Sequence, residues 1–295
     1  MRILNFGSLN LDYTYRVPHF VQPGETLSSS DLKTNCGGKG LNQSIALARA
    51  GAAVFHAGCV GETDGAPLTD ALEQEGVDTR HIRRIDGTQS GHAVIQVDQN
   101  GQNCILLYGG ANRRVGRAMA DDVLAYFGTE DLLLLQNEIS EIPYILKKAA
   151  ERGMRVALNP SPMEDAILSW PLGLVALFVV NEVEAQALSG EAEPLRQLAA
   201  LRLRYPKAEL LLTLGSRGAM FLLPGMEAPI FEPAKKVTAV DTTAAGDTFL
   251  GFFLAAEAKG YPAEKCIRIA SNAAAFAVGR PGASASIPRW EDIAD

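Results

Sequence analysis

Short apolar runs and longer segments with apolar residues three and four apart alternate along the chain, a β-then-α rhythm. Residues 3–6 read as a strand and 41–50 as a helix, closed by Gly51 just past its C-terminus. Residues 52–57 read as the next strand and 68–75 as a helix stopped by Gly76. Strands are expected at 131–136 and 155–159, flanking a helix over 142–152 that Gly153 ends. Residues 174–180 and 210–214 are near-continuous apolar runs, as in strands buried on both faces. This order predicts an α/β fold with a mostly parallel sheet between two layers of helices.

Two regions break the rhythm. Residues 91–108 read as two strands around Gln99-Asn100-Gly101-Gln102, with Asn-Gly as the hairpin signal. Residues 11–17 and 27–34 read as extended, separated by Pro18 and Pro23-Gly24. Together the four pieces form either a small separate sheet, a lid over a pocket, or an edge of the main sheet. Val94, Ile95, Ile105, Leu106 and Leu107 put apolar groups on more than one face of this ribbon, which would not be stable alone in water. The expectation is a partner for it, most simply a second copy in a two-fold homodimer. Residues 279–288 are rich in Gly, Pro, Ala and Ser, but helix-like sequence follows, so no domain boundary is placed there. Residues 1–295 are expected to be one α/β domain, with lid segments at about 11–35 and 91–108.

Composition narrows the function. The chain has 295 residues, 47% hydrophobic and 21% charged, enough for a sizeable core. A net charge of -7 without any basic run argues against a nucleic-acid partner. Cys36, Cys59, Cys104 and Cys266 form no C-x-x-C pair and read as free thiols. Asn5, Gly7, Ser8 and Asn10 interrupt the first apolar run too early for a signal peptide, and no apolar run approaches the length that spans a bilayer. These features suggest a cytoplasmic protein without a membrane partner.

The candidate chemistry lies in Val240-Asp241-Thr242-Thr243-Ala244-Ala245-Gly246-Asp247-Thr248-Phe249. A β-rich segment at 237–240 leads in, and apolar residues at helical spacing lead out. Small residues therefore form a tight turn into a helix N-terminus, where unpaired N–H groups and the helix dipole attract an anion. Asp247 falls in the first helical turn. Taken alone it reads first as a capping residue and only second as part of a phosphate site.

The stretch Asp-Thr-x-Ala-Ala-Gly-Asp-Thr-Phe resembles the C-terminal signature of the ribokinase family of carbohydrate kinases, and Cys36-Gly37-Gly38-Lys39-Gly40-Leu41-Asn42-Gln43 resembles its N-terminal signature. The latter is not a Walker A loop, since no Ser or Thr follows Lys39. Gly7-Ser8-Leu9-Asn10-Leu11-Asp12 resembles the family's first strand, Asn181-Glu182-Val183-Glu184 its Asn-x-x-Glu motif, and Thr213 to Gly218 its nucleotide-binding turn.

The resemblance implies a ribokinase-like three-layer sandwich with a small β-sheet lid. It also implies an ATP-dependent kinase acting on a hydroxymethyl group, with D-ribose as the expected sugar. Fructose, a keto-deoxy sugar acid or a nucleoside are alternative substrates, and a non-catalytic sensor is a reading from another class. By the same resemblance Asp247 is the general base, and the N–H groups around Ala244, Ala245 and Gly246 form an anion hole. Asn10, Asp12, Gly38, Lys39, Asn42 and Glu138 contact the sugar. Asn181, Thr213, Gly215, Ser216, Gly218, Gly246 and Ser271 serve the nucleotide. Glu184 orders magnesium-bound water, and Asp241, Thr243, Ala277, Arg280, Gly282 and Ser286 hold a potassium ion. The residues themselves leave other readings open. Asn10 and Asp12 suit a turn at a strand end, Asn42 an exposed helix position, and Asn181 with Glu184 a helix start.

Overall fold

The structure, a computed structural model, describes residues 1–293. Its strands are β1 (Arg2–Phe6), β2 (Asn10–Arg16), β3 (Asp31–Gly37), β4 (Ala53–Gly61), β5 (Asp78–Ile85), β6 (Gly91–Val97), β7 (Asn103–Tyr108), β8 (Leu132–Gln136), β9 (Arg155–Asn159), β10 (Leu177–Asn181), β11 (Glu209–Thr213), β12 (Ala219–Leu222) and β13 (Ile230–Glu232). Its α-helices are α1 (Lys39–Arg49), α2 (Ala66–Gln74), α3 (Arg117–Leu124), α4 (Ile142–Glu151), α5 (Glu182–Ser189), α6 (Pro194–Arg204), α7 (Ala245–Ala258) and α8 (Ala263–Val278).

Nine strands form the central sheet in the order β13-β12-β11-β10-β9-β8-β1-β4-β5. The run from β11 to β5 is parallel, and β12 and β13 extend it antiparallel. Successive side chains of a strand point to opposite faces, so each apolar run feeds two cores. Ile3, Leu132, Leu134, Leu177 and Leu211 pack with α1, α2, α7 and α8. Leu4, Leu133, Leu135, Phe178 and Leu212 pack with α3, α4, α5 and α6. The expected three layers are present.

The second sheet, β3-β2-β6-β7, is separate from the first, so the four irregular segments form a lid and not an edge of the main sheet. Its β2–β6 pair is parallel and its hairpins are antiparallel. β7 is exposed along its whole length.

Several segment boundaries differ from expectation. The apolar run at 174–180 begins with a 3₁₀ turn, Leu172–Leu174, because the Val175 N–H returns to the Leu172 carbonyl before the chain enters β10. The second extended lid segment starts at Asp31, where the Ser30 N–H first reaches the Arg16 carbonyl at 2.9 Å. Residues 237–240 form no strand; Val237 and Val240 are exposed, and the chain is held by N–H groups of Val240 and Asp241 on the Val278 carbonyl. All four cysteines are free. Among the described residues no helix is long and apolar enough to cross a membrane.

Candidate active site

The carboxyl ends of the parallel strands converge with the N-termini of α1 and α7. Gln136, Asn159, Asn181 and Thr213 are the last residues of β8, β9, β10 and β11, at the edge where open α/β sheets bind ligands. The two helices cross closely. A Cβ on Gly251 of α7 would overlap that of Ala46 on α1 and lie 2.9 Å from the Leu47 nitrogen, so glycine permits the approach. The crossing brings the first turns of both helices together. Gln43 Nε2 donates to Asp247 Oδ1 at 2.8 Å and Asn42 Nδ2 to Asp247 Oδ2 at 3.3 Å. Gln43 Nε2 also reaches Asn159 Oδ1 at 3.2 Å. Asp247 and Asn42 are buried, so Asn42 is not the exposed helix residue its sequence context allowed.

The start of α7 breaks two local rules. Its N-cap, Ala244, has φ 59°, a left-handed conformation that disfavours a residue with a Cβ, and offers no side chain to cap the first N–H groups. Gly246 sits inside the first turn, yet a Cβ there would meet no atom within 4 Å. Packing does not demand glycine at a position where it costs about 0.5–1 kcal/mol of helix stability. What these choices leave is open space in front of first-turn N–H groups that no side chain caps, although the Ala245 N–H donates to the Thr242 carbonyl at 3.3 Å. That space belongs to a cavity of about 540 Å³. Thr213, Gly215, Ser216, Gly218, Gly246 and Ser271 all line it, together with Lys235 and Lys236.

On the other side of the same turn lies a polar cluster. Glu138 follows β8 and is steadied by Asn137, whose N–H donates to the Ser161 carbonyl at 2.9 Å and whose Nδ2 donates to the Pro162 carbonyl at 2.7 Å. Glu138 Oε2 accepts from the Ser8 hydroxyl and, at 3.0 Å, from the Lys39 N–H. Burial pushes the Glu138 carboxyl up, though the Ser8 hydroxyl and Lys39 oppose this. Burial pulls the Lys39 ammonium down, but the Asp247, Glu138 and Glu184 carboxylates outweigh it and hold it above its ordinary value. Burial, and then Glu138, push the Asp12 carboxyl up to about 7. Gly37 makes room for Asp12, since a Cβ there would overlap its carboxylate, and Gly38 has φ 91°. Asn10 Oδ1 accepts from Asn112 Nδ2 at 2.7 Å.

Asn181 and Glu184 form a full capping box at α5, with reciprocal bonds of 2.9 and 3.0 Å and a third from Asn181 Nδ2 to Glu184 Oε1 at 3.0 Å. Asn181 is not among the cavity's lining residues. Glu184 is buried with its oxygens already accepting from Asn181, which suits ordering a water better than direct metal ligation. Among the described residues no group of three or more His, Cys, Asp or Glu side chains could hold a metal ion.

Asp241 ties the turn before α7 to the loop after α8. Its oxygens accept from the Thr243 N–H at 2.9 Å and the Gly282 N–H at 3.0 Å. Those bonds outweigh burial and hold its carboxyl below the usual range. Ala277 and Ser286 are buried nearby in sequence, whereas Arg280 is exposed with its guanidinium 3.3 Å over the Phe276 ring.

Several contributors were not singled out from sequence. Asn112 pins Asn10 and the start of β2, donating and accepting at Leu9 as well. Ser8 links Glu138 to the Gly40 N–H. Gln43 stood in a quoted motif without a role. The available signal was Asn42-Gln43-Ser44, three successive polar residues in a helix that is otherwise apolar and fully buried over Gly40–Leu47. A second concavity, about 500 Å³, lies around Arg80, Arg83, Asp122 and Tyr126 at the β5 edge. Its arginines are paired with Asp78 and Asp122 at 2.7 and 2.6 Å, so it offers no free cationic site.

Comparison with known proteins identifies the family. Residues 2–290 match the model of the pfkB family carbohydrate kinases. A ribokinase from Haemophilus influenzae is 36% identical over 97% of this chain and 95% of its own. The structure of Arabidopsis thaliana ribokinase complexed with ribose and ATP superposes with a TM-score of 0.88 at 29% identity, covering 99% of this chain and 97% of that one. Ribokinase from Cryptococcus neoformans in complex with ADP gives 0.87 at 32% identity, covering 99% and 98%. With the family model spanning almost the entire sequence and the ribokinase fold reproduced layer by layer, the chain belongs to the pfkB family of carbohydrate kinases, a family of phosphotransferases.

Proposed function

We propose that this protein transfers the γ-phosphoryl group of ATP to the hydroxymethyl group of a small sugar, D-ribose in the first instance, giving D-ribose 5-phosphate. One observation carries the reading. Gly246 and Asp247 are consecutive residues of one helical turn; the first lines the 540 Å³ cavity and the second is held by Asn42 and Gln43 beside the Lys39–Glu138 cluster. A phosphoryl donor in the cavity and an alcohol in the polar cluster would meet at that turn.

Phosphoryl transfer has a loose transition state, so the protein positions the reactants and stabilises spreading charge. The N–H groups at Ala245 and Gly246 would receive that charge. Asp247 would take the hydroxyl proton as the oxygen bonds to phosphorus. Asp12 and Glu138 would accept from ring hydroxyls, and Lys39 would donate. Asn42 Oδ1 is buried with no partner among the described residues, although its Nδ2 holds Asp247. An unpaired buried acceptor is costly, and a substrate hydroxyl would satisfy it.

Thr213, Gly215, Ser216, Gly218 and Ser271 would border the nucleotide. Magnesium would supply charge neutralisation at the phosphates, its water oriented by Glu184. Asp241, Thr243, Ala277, Arg280, Gly282 and Ser286, several of them through backbone carbonyls, would hold a monovalent cation. We place the whole chain in one domain with its lid. We also infer a homodimer through that lid, supported by Ile105, Leu106, Leu107 and Tyr108, which are 59, 72, 44 and 49% exposed.

The test is ADP release across ribose, fructose, keto-deoxy sugar acids and nucleosides, with and without potassium, in the native enzyme and Asp247→Asn. Ribose-dependent turnover reduced roughly 10²–10⁴-fold in Asp247→Asn is expected. Ribose-independent turnover, or an unimpaired variant, refutes the reading.

A further inference from the structure

A continuous line of buried amides runs from the α1 backbone to Asp247. Asn5 Nδ2 donates to the Gly40 carbonyl at 2.7 Å and to Ser44 Oγ at 2.9 Å. Gln136 Nε2 donates to Asn5 Oδ1 at 2.8 Å and to Gln43 Oε1 at 2.7 Å. Gln43 Nε2 then donates to Asp247 Oδ1. None of Asn5, Gln43, Ser44, His56 and Gln136 is more than 1% exposed. A polar chain this deep is costly compared with apolar packing unless it does something that packing cannot.

Its direction is fixed at the end remote from Asp247. A backbone carbonyl only accepts, so Asn5 must turn its NH₂ toward Gly40 and its oxygen toward Gln136. Gln136 must then donate to Gln43, which leaves the Gln43 NH₂ facing Asp247. Ser44 agrees: having accepted from Asn5, its hydroxyl donates to His56 Nδ1 at 2.8 Å. His56 is the acceptor this requires, because burial pushes its imidazole down to about 4 and keeps it neutral. Reversing the line would mean flipping three amides and setting the Asn5 oxygen against the Gly40 oxygen.

We propose that Gln43 is a positioning residue: through this one-way amide line it locks Asp247 Oδ1 as an acceptor, fixing the carboxylate rotamer and leaving Oδ2 as the atom that takes the sugar proton. A proton on Oδ1 would face the Gln43 N–H, donor against donor. Oδ2, with its longer 3.3 Å contact to Asn42, keeps a free lone pair. The inference rests on Asp247 being the base. The other charged groups facing Asp247 are Lys39, on α1, and Glu138, after β8, with Glu184 of α5 acting on Lys39.

The experiment compares native enzyme, Asp247→Asn, Gln43→Met and Gln43→Glu in steady-state kinetics from mildly acidic to mildly alkaline pH. Gln43→Met keeps length and volume but has no N–H. It should lower kcat roughly 10- to 100-fold while leaving both KM values within about twofold, since geometry at the reacting oxygen is lost and binding is not. Gln43→Glu retains a donor only while its carboxyl is protonated. Its kcat relative to the native enzyme should be highest at acidic pH and fall as pH rises, which a packing defect would not produce. A native-like kcat in Gln43→Met overturns the proposal, as does the same pH-independent loss in both Gln43 variants. If Asp247→Asn turns over normally, the base assignment fails and this inference with it; if Asp247→Asn is inactive while Gln43→Met is normal, only the positioning role falls. Should Gln43→Met not fold, Gln136→Met breaks the line one link back without touching Asp247, and native kcat there is equally decisive.

Discussion

Gly246→Ala separates what the fold needs from what the reaction needs. The added Cβ meets no heavy atom within 4 Å, and Gly246 is not among the residues with positive φ, so the folded chain accepts it without strain. Alanine in a helix is better than glycine by about 0.5–1 kcal/mol, less at a first turn. The variant should therefore be as stable as the native protein or melt slightly higher, by roughly 1–4 °C for a chain of this size. The same methyl group would occupy the space in front of the α7 N–H groups, where the transferring phosphoryl is placed. Displacing that group by about 1 Å is expected to cost roughly 100-fold in turnover. Two assays read the two effects. Thermal unfolding without nucleotide reports the fold, and ADP release in saturating sugar reports the chemistry. ADP at 100 times its Kd should stabilise the native protein by about 2.7 kcal/mol, and the variant should show a smaller gain. A variant that keeps native turnover and the full nucleotide-induced shift would refute the placement of the phosphoryl group at this turn.

Two further outcomes follow from the site's surroundings. The Asp12 carboxyl is held up to about 7 in the folded state against an ordinary 3.8, so the native state binds the extra proton between these values and stability falls as pH rises through that window. Asp12→Asn should thus raise the melting temperature at pH 8 and lose that advantage below pH 4, while sugar KM should increase and lose the improvement from pH 6 to 8 expected of the native enzyme; an unchanged KM would exclude Asp12 from sugar binding. At the lid, the native protein should sediment as a dimer at micromolar concentration and Leu106→Lys as a monomer, because an ammonium at a 72% exposed apolar position blocks burial against a second copy; a native monomer would remove the dimer.

Much of this was legible because the relevant signals are local. The helix stops at Gly51, Gly76 and Gly153 are all positive-φ positions, and residues 155–159 form a strand with the expected ends. The turn into α7 could be read because its small residues, its first-turn carboxylate and its apolar exit lie within one short stretch. What escaped is long-range. Gln43 meets Asp247 only because Gly251 lets α1 and α7 cross, and Asn112 meets Asn10 across the base of the lid. No periodicity encodes such a pair. Residues 237–240 misled for a related reason. Their β-branched character is that of a strand, but they run along the open cavity, and the N–H groups of Val240 and Asp241 go to the Val278 carbonyl at the end of α8 instead of to a neighbouring strand.

The electrostatics of the two sides of the α7 turn differ in a way that gives the proposed reaction a direction. The sugar side gathers Asp12, Glu138 and Asp247 around a single ammonium, Lys39. The cavity side contains Lys235 and Lys236, the start of α7 without a side-chain cap, and none of these carboxylates among its lining residues. An uncharged sugar would enter the acidic side without charge repulsion and relieve it, since each hydrogen bond its hydroxyls donate would stabilise a carboxylate that burial penalises. On the proposed reading a nucleotide tail would be repelled there and accepted in the cavity, so the two substrates would sort themselves before chemistry begins. After transfer the product carries its new charge on the acidic side. Like charges about 4 Å apart at an effective dielectric near 20 repel by about 4 kcal/mol, which favours release of the phosphorylated sugar over its retention. The raised Asp12 and Glu138 carboxyls would be part of the same arrangement: burial first, and the neighbouring carboxylate second, make their charged forms costly, a cost that sugar hydroxyls would relieve and a new phosphate would aggravate.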